Sequence, residues 1–392
     1  EVAALVVQGV EAAGGSKHDA ALGAGVAAAD GVMREKPWAS DEEVLKAVVD
    51  ATKAAGGSPE DIVACVANAG AALCAKKYGG DNAGDEKGDH LAEDVSDVVA
   101  VEAGKQGLRP EQAGEIAAKA MKDAGGSDED VGVAAGLAAA KTALAEGKTP
   151  EEALAEAAKA CKQAGGTPEE VAKAIGDVVN SLPETKDLCP SEVGAMAGKA
   201  VRDVGGNAWD AALAAGKAGG DAATNQGAKA EDALRAAADA AKAEGGSPED
   251  VVKAVAVVGA GMCAAGKEGD DDQLLEDVSG MVAGEAVKQG VSPEEAGEMV
   301  GKALRDGGGG DDGARKAAAV CAAKTTLGNG GSPQEALAAG CLAAKGAGAK
   351  GEEVAKMGAH VASRLVELKE VPGEEVAALV VQGVEAAGGS KH

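Results

Sequence analysis

One phrase recurs along the chain and restricts what it can become: Gly-Gly, then Ser or Thr, Pro and two acids. It stands as Gly56-Gly57-Ser58-Pro59-Glu60-Asp61, as Gly165-Gly166-Thr167-Pro168-Glu169-Glu170 and as Gly245-Gly246-Ser247-Pro248-Glu249-Asp250. Looser forms start at Ser127, Thr149, Ser292 and Ser332. Each part suits a junction between two helices. Glycine adopts the left-handed conformation that ends a helix. The hydroxyl caps the next helix, proline fits its first position, and the acid at the third completes a capping box. The acids also favour the positive end of the helix dipole. The phrase therefore predicts that one helix stops and the next starts without pause, with Ser58, Thr167 and Ser247 as N-caps.

Between these junctions the periodicity is helical. Val171, Ile175, Val178, Val179 and Leu182 share one helix face, and so do Val251, Val252, Val255, Val258 and Met262. No stretch alternates convincingly as a strand. Helices are predicted to start near 2, 19, 40, 58, 91, 109, 127, 149, 167, 190, 208, 229, 247, 273, 292, 311, 332, 351 and 374. The fold class read from this spacing is all-α: an α-solenoid of tandem helix-turn-helix hairpins, one helix per roughly 21 residues. Two helices in about 40 residues broadly resembles HEAT or armadillo-type solenoids. The resemblance is architectural, and no functional residue follows from it.

Repetition exists on two scales. Residues 1–18 and 375–392 are identical, which sets a period of 374. Inside it, Glu151-Glu-Ala-Leu154 corresponds to Gln334-Glu-Ala-Leu337, and Glu169-Glu-Val-Ala-Lys173 to Glu352-Glu-Val-Ala-Lys356, both 183 residues on. Gly57–Asp61 matches Gly246–Asp250 at 189, a difference that a six-residue loop accounts for. The expected organisation is two diverged nine-helix halves per period. Residues 1–56 end one half-repeat, 57–245 form the first half, and 246–392 belong to the second, with 375–392 repeating 1–18. The identical ends, with no Met at the start, lead us to expect one window of a longer tandem array.

Composition limits the core. There are 60 Gly, two Trp, one Tyr and no Phe. Contacts must be built from Ala, Val, Leu, Gly and Met, so helices approach closely in Ala- and Gly-rich layers. At roughly 25 cal/mol per Å² of apolar area, each layer is modestly stable. The formal net charge of −27 argues against nucleic acid and anionic membrane surfaces as partners. No apolar run is long enough to span a bilayer.

Few residues suggest chemistry. Gly346-Ala-Gly348-Ala-Lys-Gly351 satisfies GxGxxG but follows no strand, so it reads as a helix stop and start. Gly147-Lys148-Thr149 hints at a phosphate loop, but it lacks the first glycine and Thr149 sits at a cap position. His18, His90, His360 and His392 form no metal spacing. The seven cysteines, Cys65, Cys74, Cys161, Cys189, Cys263, Cys321 and Cys341, include no CxxC, and most fall at apolar helix positions. Trp38, Trp209 and Tyr78 read as plugs at helix junctions. Two acidic loops are weak Ca²⁺ candidates: Asp81, Asp85, Glu86 and Asp89 in one, and Asp270, Asp271 and Asp272 in the other. No catalytic or cofactor-binding residues are assigned.

These readings lead us to expect a non-enzymatic structural protein whose partners are further copies of itself, end to end and laterally, in a filament or extensible fibre. An extracellular fibre or an extrusive granule suits it better than the cytoplasm. The rival is a soluble solenoid scaffold that binds partner proteins along a concave face.

Overall fold

A computed structural model describes residues 2–77, 86–265, 271–307, 310–365 and 372–388. Two compact units emerge: 1–185 with 199–207, and 186–198 with 208–392. In chain order the first carries α1 (Val2–Ala12), α2 (Lys17–Glu35), α3 (Asp41–Ala54), α4 (Pro59–Lys77), α5 (Glu86–Gln106), α6 (Pro110–Asp123), α7 (Asp128–Ala145), α8 (Pro150–Gln163) and α9 (Pro168–Ser181). A 3₁₀ turn at Pro183–Thr185 follows, then α10 (Pro190–Asp203), whose residues divide between the units. The second unit continues with α11 (Ala208–Asn225), α12 (Ala230–Ala243), α13 (Pro248–Ala265), α14 (Asp271–Gln289), α15 (Pro293–Asp306), α16 (Asp311–Gly328), α17 (Pro333–Gly346), α18 (Glu352–Arg364) and α19 (Gly373–Ala386). Among the described residues there is no strand.

The junction phrase does what its chemistry predicts. Thr167 caps α9, accepting from the Glu170 amide while the Glu170 carboxylate accepts from the Thr167 amide. Ser58 with Asp61 and Ser247 with Asp250 make the same reciprocal pair. At the end of α3, Gly56 takes φ 78°. Its amide donates to the Lys53 carbonyl, and the Gly57 amide to the Thr52 carbonyl. These are the two bonds of a Schellman motif. Gly57 is needed for space: a Cβ there would lie 2.8 Å from Thr52 Cγ2 and 3.0 Å from Ala21 Cβ.

Helices pack on the next helix and on the next but one, as in a solenoid. α7 touches α5, α6, α8 and α9, and α16 touches α14, α15, α17 and α18. Burial is not confined to one face in every helix. α7 and α11 each bury twelve of eighteen residues, on all sides. A helix covered all round must be enclosed, and the Ala-rich sides of α7 let four neighbours close in. Buried threonines of α7 and α16 are satisfied within their own helix: Thr142 Oγ1 donates to the Ala138 carbonyl at 2.7 Å, and Thr325 Oγ1 to that of Cys321 at 2.8 Å.

Glycine sets how closely the layers approach. A Cβ on Gly114 in α6 would lie 3.0 Å from the Ala135 carbonyl oxygen and 2.7 Å from Ala160 Cβ. Gly194 in α10 meets the Ala215 oxygen and Ala240 Cβ, both at 2.8 Å. Gly297 in α15 meets the Ala318 oxygen at 2.8 Å and Ala343 Cβ at 3.0 Å. The same three-helix contact is thus made three times.

Candidate functional site

Both glycine motifs singled out by sequence are junctions. Gly346 ends α17, Gly348 turns with φ 93°, and Gly351 precedes α18. Thr149 caps α8 after the left-handed Gly147. Asp81, Asp85 and Asp270 lie outside the described residues, as does Tyr78. Glu86 and Asp89 fall in the first turn of α5, and Asp271 and Asp272 in that of α14, so both helices start earlier than predicted. Among the described residues, no group of three or more His, Cys, Asp or Glu side chains is gathered to hold a metal ion.

His18 Nδ1 meets Asp61 Oδ1 across α2 and α4. Burial pushes the Asp61 carboxyl up, but its bonds from Ser58 and His18 outweigh burial and leave it below its usual range. All seven cysteines are thiols outside disulfides, five of them buried. Burial raises Cys161 and Cys321 to about 12 and Cys341 to about 11, which suppresses the thiolate. Trp38 does not plug a junction: it is 81% exposed. Trp209 is half-buried with Lys253 Nζ 3.8 Å from its ring centroid.

A polar groove of 390 Å³ lies between α6 and α8, lined among others by Arg109, Glu111, Lys148, Glu156, Lys159 and Gln163. Its groups neutralise one another. Lys148 pairs with Glu146 at 3.5 Å and Glu156 at 3.4 Å, Lys159 with Glu156 at 3.4 Å, and Gln163 donates to Glu111 at 2.9 Å.

The more informative constellation is a set of ties between stacked helices. Lys162 Nζ in α8 donates to the Val204 carbonyl at the end of α10, at 2.6 Å. Lys345 Nζ in α17 donates to the Ala387 carbonyl at the end of α19, at 2.7 Å. Both partners have moved 183 residues. At the same offset the Lys199–Glu151 ion pair, which holds the Lys199 ammonium above its ordinary range, becomes a Gln334–Gln382 amide bond of 2.8 Å. Sequence reasoning missed these ties. Comparing polar residue types at the 183 offset finds them, because each tie keeps its geometry even where charge is exchanged for amide.

The duplicated segment appears in two settings. Residues 2–12 and 376–386 are identical and helical in both copies. In α1 the segment packs on α2, and in α19 it packs on α17 and α18. Among the described residues, no helix is long and apolar enough to cross a membrane. No protein-family model matches this chain, and no curated protein matches it.

Proposed function

We propose that the chain is a non-enzymatic structural protein. It is a stretch of tandem-repeat α-solenoid, with two diverged nine-helix halves per 374-residue period, whose copies continue into a filament or extensible fibre. The observation that carries this reading is the return of whole contacts 183 residues on. The Gly114 close approach returns at Gly297, the Thr142 bond at Thr325, and the Lys162 tie at Lys345. A chain that repeats its packing extends by adding layers, each touching only its neighbours.

The exposed apolar residues favour this reading over a partner-binding scaffold. Among the described residues the large ones are Val2, Leu5, Val26, Trp38, Val101, Leu342 and Val381. Three of the seven lie on the duplicated segment, and the rest are scattered over separate elements. A formal charge of −27 opposes nucleic-acid partners and adds self-repulsion when cations are diluted. Weak Ca²⁺ binding at the two acidic stretches fits the same reading as a means of condensing the chain.

Extensibility follows from lengths. A stacked hairpin adds about 8–10 Å to a solenoid, whereas its roughly 40 residues reach about 130 Å when extended, at about 3.3 Å each. Layers built from Ala and Val open at modest force. Single-molecule pulling is expected to give many small, reversible, low-force steps. One abrupt high-force rupture of the whole chain rules the fibre-spring reading out.

A further inference from the structure

The two copies of the duplicated segment expose different faces. In α19, Gly383 is buried, and a Cβ there would lie 3.2 Å from the Leu337 carbonyl and 3.3 Å from Cys341 Sγ. Val376 and Leu379 are half-buried on the same side, Ala387 is 3% exposed, and Gln382 and the Ala387 carbonyl are tied to α17. In α1 the corresponding residues are open. Val2 is 45% and Leu5 67% exposed, Gly9 has nothing within 4 Å of its Cβ position, and Gln8 and Ala13 face solvent.

The reverse holds for the adjoining face. Ala3 and Val7 are half-covered in α1, while their equivalents Ala377 and Val381 are exposed in α19, Val381 by 47%. Positions 2, 5, 9 and 13 form one helical stripe, and 3 and 7 lie on a neighbouring one. Val6 and Val10 fall between and are half-covered in both copies, as Val380 and Val384. The Val2, Leu5 and Gly9 side is covered in α19 alone and the Ala3 and Val7 side in α1 alone, while the Val6 and Val10 stripe borders both neighbours, Gly23 of α2 in one copy and Gly358 of α18 in the other.

We propose that the Val2–Leu5–Gly9–Ala13 face of α1 is an interface for the α17–α18 pair of a second copy of this chain. One segment then serves as α19 of the first copy and α1 of the second. This rests on the repeat reading above and adds the contacts of the joint. Gly9 seats on the first copy's Leu337 carbonyl, Gln8 meets its Gln334, and its Lys345 ties the Ala13 carbonyl. The occupant is fixed by the chain itself, since α19 has the same sequence and shows what covers that face.

The test is a two-copy protein in which residues 375–392 of the first copy are residues 1–18 of the second, followed by hydrogen exchange. Amides of the shared segment are expected to exchange at least tenfold more slowly than the same amides at either end of that protein. Equal rates overturn the interface. A second measurement uses Leu5→Glu. At the amino end it is expected to leave the exchange of α2 within twofold. In the shared segment it is expected to release the α17–α18 peptides of the first copy by tenfold or more, and no release there also overturns the interface. The joint and the fibre fail separately. Stepwise extension with an unprotected joint removes the interface alone, and a protected joint in a protein that ruptures in one event removes the extensible reading alone.

Discussion

α1 and α19 contain the same eleven residues and are equally helical, yet their surfaces differ. In one, a leucine is 67% exposed and a glycine touches nothing; in the other, that glycine is buried on a carbonyl of α17. Propensity and periodicity decide that the segment is a helix. Which side is dry is decided by its neighbours. The segment carries more apolar surface than a single neighbouring hairpin covers, so each copy leaves part of it uncovered.

The sharpest way to break this equivalence is to enlarge the shared glycine in each copy. Gly383→Leu drives a side chain into the Leu337 carbonyl and Cys341. Overpacking of this kind costs about 1–3 kcal/mol, partly offset by about 1 kcal/mol of helix propensity. A net loss of up to about 2 kcal/mol in the docking of α19 is expected. Gly9→Leu meets open space and keeps only the propensity gain, about 0.5–1 kcal/mol, in α1. Local hydrogen exchange reads both variants, and effects of the same sign remove the contrast.

The sequence made some of this legible and concealed the rest for physical reasons. Helix starts were readable because each junction carries its own chemistry: the hydroxyl, proline and acid of Thr167–Glu170 act within one turn, where no distant contact intervenes. The burial of α7 and α11 on all sides was not readable, because Ala and Gly carry almost no face preference and only the packing shows how many neighbours close in. The starts of α5 and α14 were placed late because their acids were read as loop ligands, whereas acids at 86–89 and 271–272 also suit a first helical turn. Trp38 was assigned to a junction on size alone, and size does not say whether a pocket exists. For the candidate sites, the glycine motifs were correctly reduced to turns, while the inter-helix ties needed the pairing of residues 42 and 48 apart.

Smaller changes probe what holds α19 and leave α1 alone. Ser332→Ala removes the cap of α17, the helix on which α19 rests, and is expected to cost about 1 kcal/mol there. Exchange should quicken at the start of α17 and in α19, with α1 unchanged. Lys345→Met deletes the tie to the Ala387 carbonyl and is expected to cost about 0.5–1 kcal/mol. Lys162→Met deletes its equivalent on Val204. Denaturant titration of the two variants should give losses that agree within a few tenths of a kcal/mol. A large disparity means that the two ties, although alike in geometry, do not bear on equivalent packing.

The smallest effect comes from acid and separates α17 from α19. Glu335 is held below its ordinary range by the Ser332 backbone bond and then by the Ser332 hydroxyl. Glu152, Glu170 and Glu295 are lowered by their own caps in the same way. A carboxyl lowered by folding contributes stability that is present above its unfolded value, near 4.3 for Glu. That stability is lost as pH falls through the lowered folded value. Between pH 7 and about 5 acidification removes no cap, and it relieves the repulsion of the −27 net charge, so helicity should hold or rise slightly. Below about pH 4 the starts of α8, α9, α15 and α17 should fray. α19 begins at Gly373 after an N-cap proline, Pro372, that makes no side-chain cap, so its first turn has no such bond to lose. Glu335→Gln removes the titrating carboxylate and should flatten the response of α17 below pH 4, while α15, still capped by Ser292 with Glu295, keeps its own. Residue-resolved exchange at pH 6 and pH 3.5 separates these outcomes, after correction for the intrinsic rates. An unchanged acid response of α17 in Glu335→Gln means that the capping carboxylate does not set it.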